Sequence, residues 1–375
     1  MKSVLLIAGE KSGEEHALSF LPQILQQDQE LKFWGVGGDE LQSSGLELIY
    51  HLKDFSSWGI GEVIAKIPFY LKAEKRILEE VRLRNTKTAI LIDFQDFNMR
   101  LAKKLKKMGV NVLYYVAPQA WAWKPWRAKV LSETVHTLFT IIPFEKQWFA
   151  ERGVKQVRGV IHPVLLHYQK YLNNLPERTF EDMNQECRLL LLPGSRNFEV
   201  QNLLPIFLET ANLLKKNFNI KLSLVKTTSV RNEIYEYYAN HFDQIYNSED
   251  LTQALQDAHV CLAASGTVTL ATALFEVPTV VSYKGNLITE FIYYNFINYR
   301  GPISLTNIVH DKILFPEIVQ YAVTPTNLHR QLLPWLTNKA SYGKIKEELH
   351  LTKSKISGDP FDLPKYMLDV IHGKN

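Results

Sequence analysis

What most constrains this chain is a rhythm that runs through it twice. Short apolar runs alternate with longer stretches of helical periodicity, the alternation breaks off near residue 168, and it resumes at residue 188. In the first series the runs are 3–8, 33–36, 89–93, 112–116 and 137–142, with 14–27 and 97–108 among the helical stretches between them. In the second they are 188–192, 221–226, 258–263 and 277–283, with 198–217 as a helix. Such runs are buried on both faces, and buried strands separated by helices make a parallel sheet covered on both sides. The expected class is therefore α/β, two doubly wound Rossmann-like domains in series, with ligands beyond the carboxyl ends of the strands. Two such domains facing one another make a cleft.

A length of 375 residues suits two domains of ordinary size. Hydrophobic residues at 46% against 22% charged supply large cores and exclude global disorder. The polar stretch 168–187, with Asn173-Asn174, Pro176 and an acidic cluster, reads as a linker. That places the domains at 1–167 and 188–340 and leaves 341–375 as a partly helical tail. A net charge of +4 admits attraction to anionic lipid or phosphate without requiring it. Cys187 and Cys261 form no CxxC pair, so neither a zinc motif nor a disulfide framework is present, and a reducing cytoplasm fits. The first apolar run is too short for a signal peptide, and no window of about 18 apolar residues occurs, so membrane contact is expected to be peripheral.

Four strand-to-helix junctions carry residues suited to chemistry. Gly9-Glu10-Lys11-Ser12-Gly13-Glu14 has glycines for close approach and a helix N-terminus for anions, but neither the Walker A nor the GxGxxG spacing, and an ordinary turn is the plain alternative. Ile92-Asp93-Phe94-Gln95-Asp96-Phe97-Asn98 puts a carboxylate at a strand's carboxyl end, where Asp93 can take a proton from a sugar hydroxyl. Helix capping is the alternative for Asp93, and more so for Asp96. Leu192-Pro193-Gly194-Ser195-Arg196 combines a glycine, a hydroxyl and a guanidinium at a helix start, a set suited to a pyrophosphate. Ala264-Ser265-Gly266-Thr267-Val268-Thr269 repeats the anion-binding pattern, and two such loops in one domain support each other.

Two segments mix aromatic and basic residues. The first, 114–127, includes Trp121, Trp123, Lys124, Trp126 and Arg127, and suits a membrane interface, a lipid acceptor or a sugar ring; a core aromatic cluster is the alternative. The second, 58–76, is a basic amphipathic stretch containing Trp58, Ile60, Lys66, Phe69, Lys72 and Arg76. It can lie on anionic lipid or bury one face in a core. Lys103, Lys104, Lys106 and Lys107 read as a solvated helix face.

In order along the chain stand Ala8-Gly9-Glu10 with Ser12-Gly13, Gly35-Val36-Gly37-Gly38, Ile92-Asp93 with Asp96-Phe97-Asn98, and Tyr115-Val116 with Pro118. Trp121-Ala122-Trp123, Pro143-Phe144-Glu145, Leu192-Pro193-Gly194-Ser195-Arg196 with Glu199-Val200, Ser265-Gly266-Thr267, and Ser304-Leu305 with Asn307 follow. This series, spread over residues 3–320, resembles the lipid-A-disaccharide synthases. The resemblance implies the GT-B architecture and transfer of an acylated glucosamine from UDP to the 6-hydroxyl of an acylated glucosamine 1-phosphate, with inversion and loss of UDP. It implies no metal and no cofactor. Arginine and helix N-termini must then stabilise the departing diphosphate.

By the same resemblance Asp93 is the general base, with Asp96, Ser12 and Glu10 in support. Gly194, Ser195, Arg196, Ser265, Gly266, Thr267, Asn307 and Glu317 fall on the UDP side. Trp58, Ile60, Lys66, Phe69, Lys72, Arg76, Trp121, Trp123 and Trp126 fall on the membrane and acceptor side. The implied partners are UDP-2,3-diacylglucosamine, diacylglucosamine 1-phosphate, an anionic membrane surface at the inner face of the inner membrane and a second copy of the chain, with no nucleic acid. The tail 341–375 is expected to cross back to the first domain. Lys11, Glu14, Ile161, Thr306 and Ala271 depart from the family pattern, Ala271 standing where a glutamate suited to ribose is usual. Two other readings remain: another UDP-N-acetylglucosamine enzyme of this fold, a peptidoglycan glucosaminyltransferase or an epimerase, and a membrane-binding relative that has lost catalysis.

Overall fold

Every strand of the amino-terminal unit runs in the same direction. The computed structural model describes residues 2–55, 65–285 and 301–374, and these divide into two units, Met1–Ile161 with Gly358–Asn375, and His162–Ser357. The first unit holds β1 (Ser3–Ala8), β2 (Lys32–Gly37), β3 (Leu46–His51), β4 (Thr88–Ile92), β5 (Asn111–Tyr115), β6 (Thr137–Thr140) and β7 (Val157–Gly159). They form one sheet in the order β3-β2-β1-β4-β5-β6-β7. The chain builds outward from β1 on one side, then crosses over, so the topological switch falls between β1 and β4. Ala8 is level with Ile92, and Ile92 with Tyr115. The loops after these three strands therefore open side by side.

Alternation along the strands sends successive side chains to opposite faces. Leu5, Ile7, Leu91, Val112 and Tyr114 enter one core; Val4, Leu6, Ile90, Ile92, Leu113 and Tyr115 enter the other. The second core is closed by Met367 and Val370 of the helix Leu363–Ile371. Asp359 fastens that return, its carboxylate accepting from the Gly159 N–H at 2.8 Å and from Lys146.

The second unit repeats the plan with β8 (Cys187–Leu192), β9 (Ile220–Lys226), β10 (Gln244–Asn247), β11 (Val260–Ala264), β12 (Thr279–Tyr283) and β13 (Glu317–Val319). All are parallel, in the order β10-β9-β8-β11-β12-β13. Leu192 is level with Ala263, so the loops after β8 and β11 are neighbours.

Three expectations need correction. The stretch 168–187 is not a linker: Gln169–Asn174 and Phe180–Gln185 are helical and belong to the second unit. Its polarity misleads because Arg178 is buried and spends its charge on the carbonyl oxygens of Leu255 and Ala258, at 2.6 and 2.9 Å. The tail is likewise divided: residues up to 357, including the helix Lys339–His350, stay with the second unit. The helix expected over 14–27 is two helices, Lys11–Leu18 and Leu21–Gln27, because Pro22 lacks an N–H and is suited to begin a helix, not to continue one.

Candidate active site

In the first unit the chain turns abruptly after β4. Asp93 and Phe94 both have φ of +43°, a left-handed conformation costing on the order of 1 kcal/mol or more for a residue with a Cβ. Neighbours over-determine it. The Asp93 N–H donates to Tyr115 O at 2.9 Å. Its carbonyl accepts from Asn98 Nδ2 at 2.9 Å and from the Tyr114 hydroxyl at 3.0 Å. Gly9 leaves room for the result, since a Cβ there would lie 2.9 Å from the Phe94 ring. Asp93 and Phe94 precede the helix Gln95–Lys107, and Asp96 lies inside it, so Asp96 is not the cap its position suggested.

The Asp93 side chain borders a cavity of about 570 Å³ walled by Ile67, Tyr70, Phe94, Phe97 and Trp123, with Glu10, Gln95, Asp96, Arg100 and Arg127 as its polar lining. Burial first, and the Glu10 charge second, push the Asp93 carboxyl up to about 6. A carboxylate with that affinity is well matched to taking a proton near neutral pH. Asp96, instead of pointing as a second base, is held by Arg127 Nη2 at 2.6 Å. Glu10 is exposed on the first loop, and Ser12 is exposed in the first turn of the helix Lys11–Leu18.

Two departures from the family pattern, Lys11 and Glu14, lie in that helix and belong together. Glu14 is 2% exposed; its Oε1 accepts from the Leu41 N–H at 3.1 Å and its Oε2 from Lys11 Nζ at 2.8 Å. Burial alone would raise the Glu14 carboxyl, but the Lys11 ammonium and the Leu41 and Gly38 N–H groups hold it below the usual range. Lys11→Ala is expected to lower the unfolding free energy by about 1 kcal/mol, a modest loss because the lysine is half exposed to screening water. Urea unfolding of the two proteins checks it, and an unchanged midpoint would refute the pairing.

In the second unit Gly194 has φ of +119°, and a Cβ there would meet Glu199 Oε2 at 2.4 Å. Glu199 lies in the first turn of the helix Asn197–Leu214, accepting from the Ser195 N–H at 3.0 Å and from Arg196 Nη1 at 2.9 Å. Its carboxylate thus occupies donors that an anionic ligand would use. The neighbouring loop presents Gly266 and Thr267 exposed, with nothing within 4 Å of a Cβ built on Gly266. The Ser265 N–H is spent on Ser282 O at 2.9 Å.

Asn307 and Glu317 both serve the scaffold of the second unit. Asn307 is wholly buried, its Nδ2 donating to Phe315 O and Glu317 Oε1, both at 2.8 Å, and its Oδ1 accepting from the N–H groups of Leu314 and Phe315. That exhausts a carboxamide's four bonds. Glu317 also accepts from the N–H groups of Ile303 and Ser304 at the start of the helix Leu305–His310. Thr306 donates to Thr269 O at 2.7 Å, a bond that proline cannot make. Ala271 is a core position at 2% exposure, and Glu276 pairs with His350, Nδ1 to Oε1 at 2.7 Å, so it does not replace the missing glutamate.

The aromatic and basic residues divide. Phe69 is packed against Phe55 and Tyr50, with ring centroids at 5.3 and 5.7 Å, and Trp121 donates to Glu145 Oε1 at 2.9 Å and rests on Phe144. Both are partly buried by these contacts. Lys66 Nζ donates to Asp54 O at 3.0 Å, and the Arg76 guanidinium lies over Tyr50. Trp123, Trp126, Lys72 and, from the same amphipathic stretch, Ile67 and Leu71 are exposed. Trp58 and Ile60 lie outside the described residues. Lys103, Lys106 and Lys107 are solvated, whereas Lys104 joins Arg100 on the buried Glu74 carboxylate. Among the described residues no helix is long and apolar enough to cross a membrane, and no cluster of three His, Cys, Asp or Glu is placed to hold a metal.

Comparison with known proteins gives a consistent result. A family model described as lipid-A-disaccharide synthetase matches residues 4–359. A lipid-A-disaccharide synthase of Syntrophus aciditrophicus is 32% identical, covering 95% of this chain and 94% of its own. Lipid-A-disaccharide synthase 1 of Legionella pneumophila is 30% identical over 98% and 96%. Among solved structures, a putative UDP-N-acetylglucosamine 2-epimerase from Listeria monocytogenes superposes with a TM-score of 0.59 at 11% identity, covering 100% of this chain and 98% of the other. A spinosyn rhamnosyltransferase complexed with thymidine diphosphate gives 0.55 at 11%, covering 99% and 100%. These two likenesses are of fold alone, and that fold is the two-Rossmann-like GT-B architecture expected from the sequence.

Proposed function

The chain belongs to the lipid-A-disaccharide synthase family of glycosyltransferases, and from that premise we propose that it condenses UDP-2,3-diacylglucosamine with diacylglucosamine 1-phosphate, inverting the anomeric centre and releasing UDP. The observation that carries the reading is Asp93: a half-buried carboxyl at a strand's end, tuned to about 6 and bordering a cavity with aromatic walls. Asp93 takes the proton of the acceptor 6-hydroxyl as its oxygen bonds to the anomeric carbon, while the bond to UDP breaks. In the second unit Arg196, the Ser195 N–H and the Ser265-Gly266-Thr267 loop receive the diphosphate, and Glu199 gives up its place to it. The leaving charge is stabilised there by a guanidinium and by backbone N–H groups.

The test is UDP release from UDP-2,3-diacylglucosamine in mild detergent, with and without diacylglucosamine 1-phosphate. Release that depends on the acceptor supports the synthase reading. UDP binding without release would sink the proposed substrate pair, and absence of both would favour the catalytically degenerate relative.

Both substrates carry acyl chains, so the enzyme works at the inner face of the membrane. Ile67, Leu71 and Trp126 are 46%, 45% and 56% exposed and are accompanied by Lys72. Apolar side chains with neighbouring cations suit the boundary of an anionic bilayer. Replacing Leu71 and Trp126 together by Glu is expected to weaken sedimentation with anionic vesicles roughly tenfold or more, each anchor contributing on the order of 1 kcal/mol. Sedimentation equal to wild type would remove this face from the proposal.

A further inference from the structure

Arg127 is wholly buried, yet it borders the cavity that holds Asp93. Its Nη1 donates to Gln95 Oε1, its Nη2 donates to Asp96 Oδ1 at 2.6 Å, and its Nε has no partner among the described residues. The Trp123 ring lies 5.0 Å from its guanidinium carbon. A guanidinium can only donate, and a carboxamide has one accepting and one donating end. With Oε1 engaged by Arg127, the donating end of Gln95 is the one left over in the cavity that Asp93 also borders, and Gln95 favours the ionised form of the Asp93 carboxyl. Without Arg127 the amide is free to turn, which would set its oxygen against the carboxylate oxygens.

We propose that Arg127 is a positioning residue for Asp93: it fixes the Gln95 amide so that its N–H donates to the carboxylate, and it offsets the charge of the adjacent Asp96. The inference rests on the reading of Asp93 as the base and adds the device that keeps that base ionised and aimed.

The Phe94 N–H, which the backbone fixes, also favours the ionised carboxyl, ahead of Gln95; the other side chains around Asp93 do not supply this function. Glu10, from the loop after β1, opposes ionisation. Tyr114, from β5, spends its hydroxyl on the Asp93 carbonyl. Arg100, on the helix Gln95–Lys107, forks onto Glu74, with both bonds at 3.1 Å. Lys124 sits over Trp123 at 4.3 Å and 3.9 Å from Asp96. Of the cations in this neighbourhood, Arg127 is the one bonded to the Gln95 amide.

The experiment is kcat at saturating substrate from about pH 5 to about pH 9 for wild type, Gln95→Ala, Arg127→Lys and the double variant, with Asp93→Asn as reference and thermal unfolding of each. Gln95→Ala and Arg127→Lys are each expected to move the acidic limb upward by about one pH unit, because each removes the same donor to the ionised form. At pH 6 that is a fivefold to tenfold loss, with little loss on the alkaline plateau and an unchanged KM for the UDP donor. The double variant shifts no further than either single one, since both act through one amide. A uniform loss at every pH, an unshifted limb, or shifts that add would overturn the proposal. Should Arg127→Lys fail to fold, Gln95→Glu replaces it: this variant keeps a partner for Arg127 but sets a second carboxylate against Asp93, so its limb must rise above that of Gln95→Ala, and a smaller shift overturns the proposal. Asp93→Asn separates the two failures. If it is inactive while the limb of the other variants stays put, this inference alone fails; if it retains wild-type kcat, the base reading fails and takes the inference with it.

Discussion

Asp93→Asn is expected to lower kcat by about a hundredfold or more with little change in KM for the donor, the usual size of a lost general base. Asparagine keeps the shape and can still accept from its neighbours, so the loss isolates the proton-accepting role. The wild-type rate should rise through a limb near pH 6 and level off above it, since the base acts ionised and burial together with Glu10 has raised it to about 6. The same shift makes a second, opposite claim about stability. The folded carboxyl binds its proton more tightly than an unfolded one with a model value of 3.8, so its contribution is fully present below about pH 4 and is lost as pH rises through 6. At neutral pH the ionised, half-buried Asp93 therefore costs the fold on the order of 2 kcal/mol, and Asp93→Asn should be the more stable protein there. Activity profiles and urea titrations at pH 5 and pH 8 read both quantities. A variant that is inactive and also destabilised at pH 8 would argue that Asp93 holds structure rather than protons.

Arg196→Ala is expected to lower kcat/KM for the UDP donor by about a hundredfold, the scale of losing one charged group from a site where negative charge develops. The residue is 77% exposed and, among the described residues, is held by Glu199 alone, so its removal should leave the unfolding midpoint nearly unchanged. Its contribution belongs to the loaded state, when the diphosphate displaces Glu199 and water. Arg196→Lys should recover part of the rate, because an ammonium restores the charge without the two-pronged geometry. A hundredfold loss accompanied by a lowered melting temperature would instead point to a structural pairing with Glu199.

The two-domain α/β plan was legible because buried parallel strands must be nearly pure in apolar residues: β1, β4, β5, β8, β11 and β12 all lie within or beside the expected runs. The strands that escaped, β3, β7, β10 and β13, are at or next to the edges of their sheets, where one side meets water and the apolar signal is diluted. Asp93, Arg196 and the Ser265-Gly266-Thr267 loop stood out because each follows an apolar run, and the structure puts each just beyond the end of a strand. The scaffold bonds of Asn307 and Glu317 were not legible in this way. A buried carboxamide and carboxylate that satisfy a helix start carry the same residue types as a ligand site, and only their hydrogen-bond partners distinguish the two.

What the sequence determined by itself is the two-domain α/β plan, its central strands and the family, since these follow from local periodicity and short motifs. Only the tertiary structure decided which polar groups are free to act. Lys11 and Glu14 turn out to satisfy each other, Asp96 is taken by Arg127, and Arg127 itself, unremarkable at the end of a tryptophan-rich stretch, is drawn wholly inside. Desolvation and the choice of partner set the reactivity of an ionisable side chain, and both depend on residues 27 to 32 positions away as much as on its neighbours in the chain.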